Sequence, residues 1–237
     1  SLDYSELIDS FIAQMTQERC VLALNIHRNF DSILSLFPNA KFIHLIRDPR
    51  DVARSSIGMG WAGNVYYGID HWVETEKSWE RLQGEISPDQ YLEIKFEELI
   101  LSPSIILQRV CDFIGVPYSK SMLNISNNST YSEPDPSLVN QWKAKLSVRE
   151  IQYVECKACD LMSSLGYELS NKSQISIGVM ERCRLKIGNK VFRAKFSIKR
   201  YSLLLYLVEL FSRFFKLKKF NKKANIKMSV IDKYLLK

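Results

Sequence analysis

The stretch Lys41 to Ser56, KFIHLIRDPRDVARSS, constrains this chain more than any other. Phe42 to Ile46 is a short apolar run of the kind that is buried on both faces of a parallel sheet. It stops at Arg47. Asp48 then suits a helix N-cap, Pro49 a first helical turn and Asp51 a capping box, so a helix begins at once. Ligands of open α/β sheets gather beyond the carboxyl ends of the strands, and Arg47 stands at such an end. Its guanidinium can grip a phosphate with two charge-assisted hydrogen bonds. Ser55, about two turns into the helix, adds a hydroxyl donor. Arg50 and Arg54 add positive potential nearby. Spacing alone leaves a second reading open: a salt-bridged arginine and a serine that is merely small.

The flanking pattern predicts an α/β domain. Leu7, Ile8, Phe11, Ile12 and Met15 fall at helical spacing and place a helix over 3–18. Val21 to Ile26, VLALNI, is a continuous apolar run and reads as a buried strand. Phe30, Ile33, Leu34 and Phe37 mark a short helix before Pro38, so strand, helix and the 42–46 strand form a βαβ unit. Trp72, Thr75, Trp79 and Leu82 define a long amphipathic helix, Tyr91 to Phe96 a third strand, and Ile105–Ile114 and Val148–Leu165 further helices. The Asn-, Ser- and Pro-rich segment 124–137 is a loop.

Charge divides the chain. Up to Asn171 there are 15 Lys/Arg against 23 Asp/Glu, and from Lys172 onward 18 against 3. The domain expectation is therefore an acidic α/β body over 1–169 and a basic helical extension over 170–237. Tyr201 to Phe215, YSLLLYLVELFSRFF, is strongly apolar but carries Glu209 and Arg213. It is shorter than the roughly 20 residues that a membrane span needs. Lys216, Lys218, Lys219, Lys222 and Lys223 follow. An apolar helix edged by lysines fits the surface of an anionic membrane, or a helix packed on the domain with a solvated basic end. Nucleic acid is the weaker reading, since no recognition module accompanies the charge.

Cys156 and Cys159 have CxxC spacing without a second pair, so they read as two small helix residues rather than half a zinc site. No metal is expected. Of the histidines, His44 and His71 look structural, and His27 closes the 21–26 run. No signal-peptide pattern opens the sequence, so the expected location is cytoplasmic and peripheral to the membrane. Sequons at Asn124, Asn127, Asn128 and Asn171 leave a secretory lumen open.

Three segments resemble one family in the right order. FPNAKFIHLIRDPRD with the following VARS is similar to the 3′-phosphate-binding segment of sulfotransferases that use 3′-phosphoadenosine 5′-phosphosulfate (PAPS). YLEIKFEELILSPSIILQRVCDFIGVP resembles that family's strand, acidic turn and helix, and WKAKLSVREIQYVECKACDLMSSLGYEL its closing helix. The resemblance covers roughly residues 20–169. It implies a three-layer, P-loop-NTPase-like α/β domain with a parallel sheet. It also implies transfer of a sulfonyl group from PAPS to a hydroxyl or amine acceptor, without a metal.

The resemblance carries over residue by residue. Arg47 and Ser55 match the pair that binds the 3′-phosphate. His27 stands near the place of the catalytic histidine that takes a proton from the acceptor hydroxyl, chemistry that suits an imidazole. A surface histidine at a strand end is the alternative. Phe96 replaces a tyrosine that contacts adenine, keeping the ring and losing the hydroxyl; plain core packing is its other reading. Trp61 and Tyr66 lie in an aromatic, glycine-bearing loop where the family borders its acceptor pocket, which could take a carbohydrate, lipid, phenol or peptide hydroxyl. Core or lid packing fits them equally.

Two departures stand out. Asn25 replaces a lysine beside the sulfonate, and an amide supplies no positive charge there. The family's upstream Gly- and Ser-rich loop, which cradles the 5′-phosphosulfate, has no counterpart in residues 1–40, and no glycine precedes Gly58. The expectation is a piece of a longer protein. The alternative is a non-catalytic relative of the same fold, docked at a membrane as a binding module. A nucleotide kinase is disfavoured because GxxxxGK[ST] is missing.

Overall fold

The computed structural model describes residues 4–15, 21–27, 30–124, 134–171 and 175–235. In chain order the helices and strands are α1 (Tyr4–Met15), α2 (Asp31–Leu36), β1 (Phe42–Ile46), α3 (Pro49–Gly58), α4 (Val65–Gly68), α5 (Asp70–Gln83) and β2 (Tyr91–Lys95). They continue with α6 (Phe96–Leu101), α7 (Pro103–Ile114), α8 (Trp142–Lys145), α9 (Val148–Ser164), α10 (Val179–Tyr201), α11 (Leu203–Phe214) and α12 (Lys218–Leu235). The fold is mixed α/β, with β1 and β2 paired in a two-stranded parallel sheet.

The element starts follow local chemistry. Asp48 caps α3 by accepting the Arg50 N–H at 2.9 Å, with Pro49 in the first turn. The Ser147–Glu150 capping box opens α9, its carboxylate accepting the Ser147 N–H at 2.9 Å. The expected strand over 21–26 is not one: residues 21–27 have no regular structure. Val21 and Leu24 are 60% and 55% exposed. A strand exists only as part of a ladder, and among the described residues the sheet ends at β1 and β2, so this run has no ladder to join.

The chain divides into two compact units, each described on its own terms. One holds Ser1–His44 and Glu74–Glu93. Its core gathers Trp79, Leu82 and Ile86, with Phe30, Leu34, Phe42 and Tyr91 against them. His44 is buried there, stacked on Trp79 at 4.3 Å between centroids, with Glu76 at 3.0 Å and Glu93 at 3.3 Å. That is a structural histidine, as its place inside a strand implies.

The other unit holds Leu45–Val73 and Ile94–Lys237. Ala53 of α3, Val65 of α4, Ile69 and Trp72 pack with Tyr153, Val154, Ala158 and Met162 of α9 and Leu185 of α10. Contact between α3 and α4 is close. A Cβ on Gly68 would lie 2.5 Å from the Ala53 carbonyl oxygen, so only glycine fits. Ser56 seals the crossing by donating to the Val52 and Gly68 carbonyls, each at 3.0 Å.

Candidate functional site

The candidate site is the junction that leaves β1 at Ile46 and enters α3 at Pro49. Three neighbours hold Arg47. The Trp72 indole N–H donates to its carbonyl at 3.1 Å. Its guanidinium donates from Nη2 to the Leu138 carbonyl at 2.9 Å and lies 4.3 Å from the centroid of the Phe96 ring. The guanidinium is thus stacked on an aromatic face at the end of the second strand. Among the described residues its buried Nε has no hydrogen-bond partner. A half-buried cation that the protein satisfies only in part is suited to an anion.

The backbone here is fixed by Glu97, in the first turn of α6. Its Oε1 accepts the Asp48 N–H at 2.9 Å, and its Oε2 accepts the Tyr167 hydroxyl at 3.0 Å. The sequence signal was present in the acidic pair after the second strand, but sequence reasoning assigned Glu97 no role. Tyr167 also carries the Lys95 ammonium 4.8 Å from its ring centroid, and Lys95 donates to the Gly166 carbonyl at 3.1 Å.

Arg50 corrects one sequence expectation. It does not lend positive potential to solvent. It is 3% exposed, bonded to both Asp48 carboxylate oxygens at 2.9 and 2.7 Å and to Glu155 at 2.9 Å. Its face covers the Trp142 ring at 3.6 Å. Glu155 in turn accepts from the Ser170 N–H and hydroxyl at 2.8 and 2.7 Å. Arg50 is a buried brace joining α3, α8 and α9, because its partners come from far along the chain. Asp51 departs likewise. In place of closing a capping box, its Oδ1 accepts the Trp142 N–H at 2.8 Å. Burial raises its carboxyl above the usual range, against the lowering influence of that hydrogen bond and of Arg47.

The other sequence-selected residues fall as follows. Phe96 comes together with Arg47 through the stacking contact above. Ser55 is exposed on α3, and Arg54 is tied to Gln141 at 2.9 Å. Trp61 is 58% exposed. Tyr66 is packed: the Lys157 ammonium sits 3.7 Å from its ring centroid, and Tyr67 and Tyr153 meet the ring edge-on at 5.2 and 6.1 Å. Burial raises its phenol pKa. The loop bearing Trp61 is clamped by α10, where Asn189 accepts the Gly63 N–H at 2.6 Å and Asn64 donates to the Leu185 carbonyl at 2.9 Å. Gly60, at φ 77°, lies so close to Phe196 that a Cβ would sit 2.3 Å from its ring. His27 belongs to the other unit and is exposed in a stretch without regular structure. On α9, burial raises the Cys156 and Cys159 thiols above their ordinary value.

With this geometry in place, comparison with known proteins becomes informative. The model of the sulfotransferase family matches residues 6–120, a span that includes β1, Arg47, Ser55 and Phe96. A Caenorhabditis elegans protein named as a protein-tyrosine sulfotransferase is 28% identical over 132 residues, 51% of this chain and 51% of that one. The omega-hydroxy-beta-dihydromenaquinone-9 sulfotransferase of Mycobacterium bovis is 28% identical over 97 residues, 35% of this chain and 25% of that one. A solved sulfotransferase domain from the curacin biosynthetic pathway is similar at a TM-score of 0.49 and 22% identity, covering 57% of this chain and 56% of that one. The chain spans about half the length, or less, of the curated relatives it matches first. The RDPRD junction thus lies within the span that is similar to the sulfotransferase family.

Proposed function

We propose that this chain is part of a PAPS-dependent sulfotransferase that acts on a hydroxyl-bearing or amine acceptor. The observation that carries the reading is the half-buried Arg47. It stands at the strand end, stacked on Phe96, with a buried Nε that the described protein atoms leave unpartnered. Those features fit a nucleotide 3′-phosphate, with Ser55 adding a hydroxyl donor and Phe96 a ring toward the adenine. PAPS, when bound, supplies the sulfonyl group. The chain's own part is to hold the phosphate through Arg47 and Ser55. His27 would take the proton from the acceptor oxygen at its imidazole, and Trp61 and Tyr66 would border the acceptor. The proposed architecture is a three-layer, P-loop-like body over 1–169 with a basic extension over 170–237. That extension would meet an anionic membrane surface from the cytoplasmic side. Among the described residues no helix is long and apolar enough to cross a membrane.

The relatives' names cover protein-tyrosine, hydroxylated menaquinone and carbohydrate sulfotransferases, so the acceptor proposed is a hydroxyl on a peptide, phenol, lipid or carbohydrate. The test is radiolabelled sulfonyl transfer from PAPS to tyrosine peptides, phenols, sugars and hydroxylated lipids, run beside calorimetric titration with adenosine 3′,5′-bisphosphate. Binding with transfer to one class is the expected result; no binding would overturn the proposal. A second reading, a non-catalytic member of the fold, is favoured by Asn25, which stands where the family places a lysine. Binding without transfer to any acceptor would select it.

A further inference from the structure

We infer that the turn between α11 and α12 is a membrane-insertion tip, in which an aromatic wedge enters an anionic bilayer while a collar of lysines holds the headgroups. The inference rests on the proposed membrane contact, independently of the transferase reading, and says which residues make it.

The two helices form a braced antiparallel hairpin. At the tip the Leu217 N–H donates to the Ser212 carbonyl at 2.8 Å, Asn221 donates to the Ser212 hydroxyl at 3.3 Å, and Lys216 takes a left-handed φ of 54°. At the base Arg200 and Tyr201, which end α10, both reach Asp232 of α12, at 2.8 and 2.9 Å. Small buried residues, Ser212 and Ala224, let the helices pack closely.

Leu205, Leu207 and Leu210 of α11 are half-buried, but a second set of its apolar side chains is not covered. Leu204, Val208, Phe211 and Phe215 recur at helical spacing as one exposed stripe, and Phe214, Leu217 and Phe220 extend it around the turn. Leu204 is 75% and Phe214 78% exposed. Arg213, Lys216, Lys218, Lys219, Lys222 and Lys223 are exposed among and just beyond them.

Charge selects the occupant. A second copy would bring one lysine collar against another. An apolar protein groove would take the stripe but leave the collar without partners. An anionic bilayer accepts both, since phenylalanine and leucine side chains enter the acyl boundary while lysines meet the phosphates.

The experiment is flotation of the full chain with phosphatidylcholine vesicles, with and without phosphatidylserine. It is repeated for F214S/F215S and K218E/K219E, with far-UV circular dichroism to show that the helices persist. The expected result is binding to the anionic vesicles, weakened about tenfold or more by each double variant and by raised salt. In a separate F215W chain, brominated lipids should quench added tryptophan fluorescence. Binding to anionic vesicles that neither double variant weakens would overturn the tip and leave membrane contact elsewhere on the chain. No binding to either vesicle would overturn both. Tip-dependent binding to single-stranded oligonucleotide without vesicle binding would replace the bilayer by nucleic acid. Self-association abolished by F214S/F215S, without vesicle binding, would replace it by a second copy.

Discussion

Val21–Ile26 and Phe42–Ile46 are apolar runs of similar make-up, and each delivers a side chain able to do chemistry, His27 after the first and Arg47 after the second. Their fates differ. Phe42–Ile46 is a strand paired with β2, but it is buried on one face only and not on both as its apolar run suggests: Ile46 is 3% exposed, whereas Ile43 and Leu45 are 45% and 52% exposed. Val21–Ile26 has no ladder, and His27 is exposed. Hydrophobicity alone does not make a strand; a neighbour with free backbone groups does. The contrast also bears on chemistry. A guanidinium is useful to a phosphate when its position is fixed beforehand, and Arg47 is fixed by Trp72, Leu138 and Phe96.

Substitutions can break or sharpen this contrast, and the largest effect on folding is expected at the brace beneath the second run. Arg50→Ala leaves Asp48 and Glu155 as buried, uncompensated carboxylates and should cost about 3–5 kcal/mol in urea denaturation. A loss comparable to a surface change would show that the network is not structural. Next comes a matched pair within the runs. Ile46→Ala removes a buried side chain and should cost about 2–5 kcal/mol, whereas Leu24→Ala should stay within about 0.5 kcal/mol. Equal losses would erase the distinction.

A smaller, pH-dependent effect belongs to Asp51. Its folded carboxyl is raised above 3.8 by burial, so the native state holds the proton more tightly than the unfolded chain does. Stability contributed by the protonated form is present below the unfolded pKa and lost as pH rises through the folded one. The stability of Asp51→Asn relative to the parent should therefore climb over that interval and then level off. A flat difference across acid pH would contradict the burial of this group. The smallest folding effect is expected at the end of the first run. His27→Ala should change stability by no more than about 0.5 kcal/mol, while sulfonyl transfer by a chain able to catalyse it falls about 10²–10⁴-fold. Unchanged turnover would return His27 to an ordinary surface role.

Much of the α/β framework was legible because its signals are local. The Phe42–Ile46 and Tyr91–Phe96 runs gave the two paired strands, the second ending at Lys95, the Trp72–Leu82 spacing gave α5, and Val148–Leu165 gave α9. What escaped the sequence depends on distant partners. Arg50 reads as a free cation until Glu155, over 100 residues away, is brought to it. Asp51 reads as a cap until Trp142 claims its oxygen. The loop around Trp61 reads as open until α10 is laid against Gly60 and Gly63. Arg47 and Phe96 were both chosen from the sequence, but their stacking and the part of Glu97 belong to the folded chain alone.

The central claim is that Arg47 holds a nucleotide phosphate, and calorimetric titration with adenosine 3′,5′-bisphosphate tests it most directly. The parent chain should bind, and a folded Arg47→Ala variant should bind about 10–100-fold more weakly, the loss expected of one charge-assisted hydrogen bond. Equal affinity in the two chains would contradict the account.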